Sequence, residues 1–237
     1  MDRIVSEGAT HRCDMNRVRL EGNRIALREW RVGDGDAMHR LMGNPKVTCF
    51  LTWGPLTRED SLKRLEGFIK DQDCRKRRTS FRHQVRKCVL AIFPRRTARG
   101  LQSSSSSKSV CEGGSNCARV RFYFAIELKA SGKVIGETGF EWSPDADGER
   151  SGEIGYFLQS EFWGNGYATE AALLVLDFAF AMLGVRTIRA ACDARNSASE
   201  QVMQKCGLRR ASTRDPDGPL VYMITRDSQC LPKTPKA

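Results

Sequence analysis

The chain has 237 residues, which suits one α/β domain with a sizeable core better than several domains. Its 39 Lys and Arg against 28 Asp and Glu give a formal charge of +11, and no stretch is apolar for long enough to act as a secretory leader or to span a membrane. The nine cysteines are odd in number and include no Cys-x-x-Cys pair. That argues against a disulfide framework and a bound metal and points to a reducing compartment, the cytoplasm with the nucleus left open.

In chain order, residues 24–30 read as a strand and 34–42 as an amphipathic helix. In Thr52-Trp53-Gly54-Pro55, Trp53 either walls a substrate channel or packs beneath the loop. Thr57 with Asp60 forms a capping-box pattern that opens a helix to about Gln72, with Leu62, Leu65, Phe68 and Ile69 on one core-facing side.

From 73 to 119 the composition changes. Twelve Lys and Arg stand against Asp73 and Glu112, so this segment carries +10 and nearly all of the excess charge. Ser103 to Ser107 is a serine run beside Gly113-Gly114. Such a composition buries too little apolar surface to offset its ordering entropy, so a disordered insertion is expected. Arg75-Lys76-Arg77-Arg78 offers nuclear import or phosphate-backbone contact, or is a solvated cluster; nucleic acid is not the expected partner.

Strands are expected at 120–128, 133–141 and 150–158, the last ending before Gln159-Ser160-Glu161. A turn then joins it to a helix over 166–183, where Ala168, Ala171, Ala172, Val175, Phe178, Ala179 and Met182 recur at helical spacing. The turn holds Gly164 and Gly166. Main-chain amides at a helix start have no internal partner and lie at the positive end of the macrodipole, so a glycine turn there suits a phosphate, or is merely a turn. The dinucleotide Gly-x-Gly-x-x-Gly is excluded by Thr169, and a P-loop by the lack of a following Gly-Lys-Ser/Thr. A strand over 185–192, a capped helix over 196–206 and strands near 208–212 and 219–226 complete the pattern. The result is a mixed sheet of about seven strands flanked by four helices, an α/β domain over 21–228 with tails at 1–20 and 229–237.

"WGNGYATEA" followed by "NSASEQVMQKCGL" closely resembles the GNAT superfamily of acyl-coenzyme A dependent N-acetyltransferases, in the branch of the ribosomal-protein acetyltransferases RimJ and RimL. The upstream "RIALREW", "NPKVTCFLTWGP" and "GKVIGETGF" stand in the order of that branch, so the resemblance spans roughly Glu21 to Arg226 apart from the insertion. It implies a GNAT fold that transfers an acetyl group from acetyl-CoA to a primary amine by direct attack in a ternary complex. Amides around Gly164, Asn165, Gly166, Tyr167 and Ala168 would hold the diphosphate. The main chain of Phe157 and Leu158 would pair with the pantetheine arm, and Asn196 would bond to the cofactor or act as a plain N-cap. The family usually has Gln or Arg three residues before the first glycine, and this chain has Glu161, which leaves recognition mostly to the amides.

Amide formation needs a base for the amine and a proton for the departing thiolate. The resemblance offers Glu153, acting through water, as base, with Glu141 as a second candidate; each is otherwise an ordinary strand carboxylate. Many relatives carry a Tyr seven residues after the helix Asn, where this chain has Met203; the Rim-like candidate is Ser199, which is otherwise a helix-start hydroxyl. The acceptor is a protein N-terminus or a small-molecule amine, and the protein a monomer or homodimer. The competing class is a non-catalytic protein binding coenzyme A, or nucleic acid through the basic insertion; turnover of acetyl-CoA separates the two.

Overall fold

The computed structural model describes residues 18–51, 53–77, 120–144, 150–211 and 218–226. Of the expected tails and insertion, 1–17, 78–119 and 229–237 lie outside the described residues. The strands are β1 (Arg19–Glu21), β2 (Ile25–Glu29), β3 (Val120–Leu128), β4 (Val134–Pro144), β5 (Arg150–Leu158), β6 (Thr187–Cys192), β7 (Arg209–Arg210) and β8 (Leu220–Thr225). They form one sheet in the order β1-β2-β3-β4-β5-β6-β8-β7. Every pairing is antiparallel except β5 with β6. The helices are α1 (Gly35–Met42), α2 (Pro45–Thr48), α3 (Arg58–Arg77), α4 (Tyr167–Asp177) and α5 (Ser197–Lys205).

β1, expected as tail, is the eighth strand: Arg19 pairs with Arg28, and Leu20 is buried. α3 opens where the capping pattern placed it, with the Asp60 amide donating to Thr57 Oγ1 at 3.1 Å, and runs five residues past Gln72 because Arg75, Lys76 and Arg77 are good helix formers. Leu65 and Phe68 are buried as expected, whereas Leu62 is partly exposed. The helix expected over 166–183 is α-helical only to Asp177; a π-turn follows over Phe178–Met182. This wider turn accompanies three consecutive buried residues, Phe178, Ala179 and Phe180, which a regular helix could not all point at one sheet.

The sheet separates two cores. α4 covers one face, where Phe178 meets Phe122 edge-on at 5.1 Å and Ile154, Leu158, Val175 and Leu176 close the packing. α1 and α3 cover the other, where Met38, Leu41, Leu65 and Phe68 pack on Ala125 and Val134. Burial of each large side chain is worth about 1.5–3 kcal/mol. Val120 pairs with Trp142, and Trp142 with Gly152, so β3 and β5 begin at the same end of the sheet. β5 ends at the opposite end, where the glycine turn sits.

Candidate active site

β5 and β6 pair only over Ser151–Glu153 with Thr187–Arg189, although β5 continues to Leu158 and β6 to Cys192. β8 holds β6 along its full length, Thr187 to Cys192, so the two parallel strands part after Glu153. The opening is part of a cleft of about 460 Å³. The Gln159 amide donates to Ile135 O at 2.9 Å. By antiparallel alternation the main-chain groups of Phe157, Gly155 and Glu153 then face β4, while those of Tyr156 and Leu158 face the opening. Trp163 Nε1 donates to Leu158 O at 2.8 Å, which leaves the Leu158 amide and both main-chain groups of Tyr156 as a strand edge without a strand partner. Of the two main-chain contacts expected, the geometry directs Leu158 inward; Phe157 instead contributes a side chain to the α1–α3 face, opposite Glu137.

At the end of β5 the turn adopts the backbone that requires glycine. Gly164 has φ +76° and Gly166 φ +78°, and Gly166 is the N-cap of α4. A Cβ on Gly164 would meet nothing within 4 Å, so the requirement there is conformational. Asn165 ties the loop to itself, Nδ2 donating to Trp163 O at 3.0 Å and Phe162 O at 3.3 Å. Tyr167 and Ala168 begin α4, so their amides are orphan donors with those of the turn. Glu161 is paired with Lys133 at 3.7 Å, and Lys133 lies 4.8 Å over Phe162. Cationic charge also comes from the other end of the chain. Arg24, in the β1–β2 turn, donates from Nη1 to Asn165 O at 2.8 Å and from Nε to Glu170 Oε2 at 3.0 Å, and its guanidinium lies 4.7 Å from the Tyr167 ring centre.

Across the opening, Asn196 caps α5 by accepting the Ser199 amide at 3.1 Å. The Ser199 hydroxyl is 3.1 Å from the Tyr156 hydroxyl, which also donates to Ser199 O at 3.0 Å. Burial holds the Tyr156 phenol well above its ordinary range, so it stays protonated and a hydrogen-bond donor. Burial likewise raises the Cys192 thiol that lines the cleft. Met203 is buried.

Glu153 projects from the α1–α3 side of β5 into the cleft and has no hydrogen-bond partner among the described residues. Glu141 sits beside it on β4 and is held by Arg121 at 3.1 Å. Between Glu153 and Phe157 lies Gly155, where an added Cβ would meet nothing within 4 Å. Farther along, Glu137 is 1 % exposed; Arg64 Nη2 reaches its Oε1 at 3.3 Å, and neither Glu137 Oε2 nor Arg64 Nε has a hydrogen-bond partner among the described residues. Desolvation raises the Glu137 pKa against the opposing pull of Arg64. The Arg64 guanidinium lies 5.2 Å from the Trp53 ring and 4.9 Å from Phe68, so Trp53 packs with α3. Strand alternation thus sets Glu153 on one side of the opening and Ser199 with Tyr156 on the other.

The family model described as "Acetyltransferase (GNAT) domain" matches residues 103–209. The uncharacterized N-acetyltransferase p20 of Bacillus licheniformis is 35% identical over 196 residues, covering 81% of this chain and 85% of that protein. Among solved structures, a GNAT-family acetyltransferase from Bacillus anthracis aligns with a TM-score of 0.60 at 20% identity, over 89% of this chain and 99% of its own. RimL, a ribosomal L7/L12 α-N-protein acetyltransferase, aligns with a TM-score of 0.58 at 15% identity, over 88% and 94%. These structures share an open mixed sheet with this chain, and the fold is that of an acyl-CoA acyltransferase. The chain belongs to the GNAT acetyltransferase family and is an acetyl-CoA-dependent acyltransferase.

The sequence reading names Glu153, Ser199, Asn196, Leu158 and the turn residues, but not Tyr156 or Arg24. Main-chain alternation along β5 carries the signal for Tyr156 once an opening is assumed. Arg24 gives no local signal, because its partners are Asn165 and Glu170.

Proposed function

We propose that this chain transfers the acetyl group of acetyl-CoA to a primary amine by direct attack within a ternary complex, as a member of the RimJ/RimL-like branch. The observation that carries the reading is the parting of β5 and β6 next to a positive-φ glycine turn. A strand edge and a cluster of orphan amides then lie at consecutive points along one ligand path. These residues fit the cofactor: Gly164, Asn165, Gly166, Tyr167 and Ala168 receive the diphosphate, and Tyr156 and Leu158 pair with the pantetheine arm. The Asn196 side chain, already an N-cap, stands at the mouth. Acetyl-CoA supplies an activated thioester. Glu153 takes the proton of the amine through water, and Ser199, held by Tyr156, donates to the sulfur that leaves.

A Ser three residues after Asn196, combined with the apolar Met203, favours the Rim-like assignment. The acceptor is a protein N-terminus or a small amine, approaching from the α1–α3 side over Gly155. Monomer or homodimer, and a cytoplasmic setting, complete the reading. Calorimetry of acetyl-CoA against the intact chain and a Gly164→Asp/Gly166→Asp variant is the test. Asp tolerates positive φ better than most side chains, so the variant mainly sets carboxylates against the phosphates. Binding by the intact chain that is lost in the variant supports the site; equal binding by both removes the phosphate assignment. Release of free thiol with a panel of N-terminal peptides and small amines then identifies the acceptor class.

A further inference from the structure

We infer that Arg24 is a positioning residue for the cofactor's diphosphate, acting through the glycine turn from the opposite end of the chain. This inference rests on the cofactor reading above. Arg24 grips the turn at three points: Nη1 on Asn165 O at 2.8 Å, the guanidinium 4.7 Å from the Tyr167 ring centre, and Nε on Glu170 Oε2 at 3.0 Å. Glu170 in return accepts the Arg24 main-chain amide at 2.8 Å and that of Ile25 at 3.3 Å, which fastens the β1–β2 turn to the first turns of α4.

The effect on the ligand follows from peptide geometry. In a trans peptide the carbonyl and the next N–H point in opposite directions. Fixing Asn165 O toward Arg24 therefore aims the Gly166 N–H away from Arg24, to the side open to an anion, and presets one donor of the nest. Arg24 Nη2 makes no bond among the described residues and lies 3.4 Å from where a Gly166 Cβ would stand, adding positive charge at the turn. The same side chain neutralises Glu170 in the first turn of α4, next to the proposed phosphate site. The Arg24 side chain is 51% exposed, so solvent screens its attraction to Glu170 and the Arg24 side chain itself adds little to folding, the main-chain bonds to Glu170 being kept without it. It also supplies the cation that Glu161 withholds at the usual place.

The experiment compares wild type, Arg24→Ala and Arg24→Lys in calorimetric titrations with coenzyme A, and by NMR titration with pantetheine, which carries no phosphate. The expected result is a roughly tenfold weaker coenzyme A affinity for both variants, about 1.4 kcal/mol, with pantetheine binding and the unfolding midpoint unchanged. Lysine keeps the charge but cannot hold Asn165 O and Glu170 together. Wild-type affinity in Arg24→Ala overturns the inference. Full affinity in Arg24→Lys overturns the positioning role and leaves only a charge effect. Equal losses for coenzyme A and pantetheine overturn it in favour of a general structural defect. Failure of the wild type to bind coenzyme A at all is a failure of the cofactor reading itself, and is told apart by that first titration.

Discussion

Along β5, Ile154, Tyr156 and Leu158 belong to the side covered by α4 and α5, whereas Glu153, Gly155 and Phe157 belong to the side of α1 and α3. The first side is mostly apolar, with Tyr156 bonded to Ser199 at the edge of the opening and Tyr222 bonded to Glu200 and Gln204 farther along α5. The second carries Glu137, Glu141 and Glu153 around a strip floored by Gly139 and Gly155. A single strand thus holds two chemistries apart by its period of two. In the proposed reaction, one side would hold the thioester arm and protonate sulfur, and the other would meet the amine and take its proton.

The largest expected effect tests the apolar side. Phe178→Ala removes edge contacts to Phe122 at 5.1 Å and Phe124 at 6.1 Å and leaves a cavity, costing about 3–5 kcal/mol in denaturant unfolding. A loss below about 1 kcal/mol means that the π-turn after α4 is not a main support of that face. Next, Glu153→Gln lowers kcat about a hundredfold with the best amine of the panel. Glu141→Gln, its carboxylate already engaged by Arg121, leaves kcat within about threefold. If Glu141→Gln costs more than Glu153→Gln, the base has been assigned to the wrong strand.

Tyr156→Phe is expected to lower kcat about fivefold, the worth of one hydrogen bond of roughly 1 kcal/mol, with little change in acetyl-CoA affinity. It should have no further effect in a Ser199→Ala background; an additive loss shows that Tyr156 acts independently of Ser199. The smallest effect concerns the other side. Because desolvation raises the Glu137 pKa in the folded state, the unfolded chain gives up that proton first. This contribution to stability is therefore full below the unfolded value of 4.5 and is lost as the pH rises toward the folded one. Glu137→Gln removes that slope, and denaturant midpoints at pH 4 and pH 7 measure it; an unchanged slope means Arg64 compensates the charge fully.

Periodicity in the sequence located seven of the eight strands and both main helix pairs, because alternation and helical spacing are local signals. β1 escaped it, since three residues are too few to show a period and are defined by pairing with β2. The turn residues were legible because glycine at positive φ is a local demand. Tyr156 was not, because its role comes from the parting of β5 and β6, a relation between strands separated by α4. Glu137 looked like any strand Glu; only the packing of α3 makes it buried. Phe157 and Leu158 both line the cleft, and which of two neighbouring main chains faces the opening depends on the edge each amide takes, a one-residue difference that the sequence does not carry.

Val120 and Arg150 start their strands at one end of the sheet, and the glycine turn closes the other, with Gly152 to Leu158 spanning about 20 Å between them. Residues 78–119 join the described molecule at the first end, between α3 and β3. The end of the sheet where β3 and β5 begin therefore stands a full strand length from the glycine turn, so a substitution at Val120 or Arg150 is not in direct contact with the proposed diphosphate site.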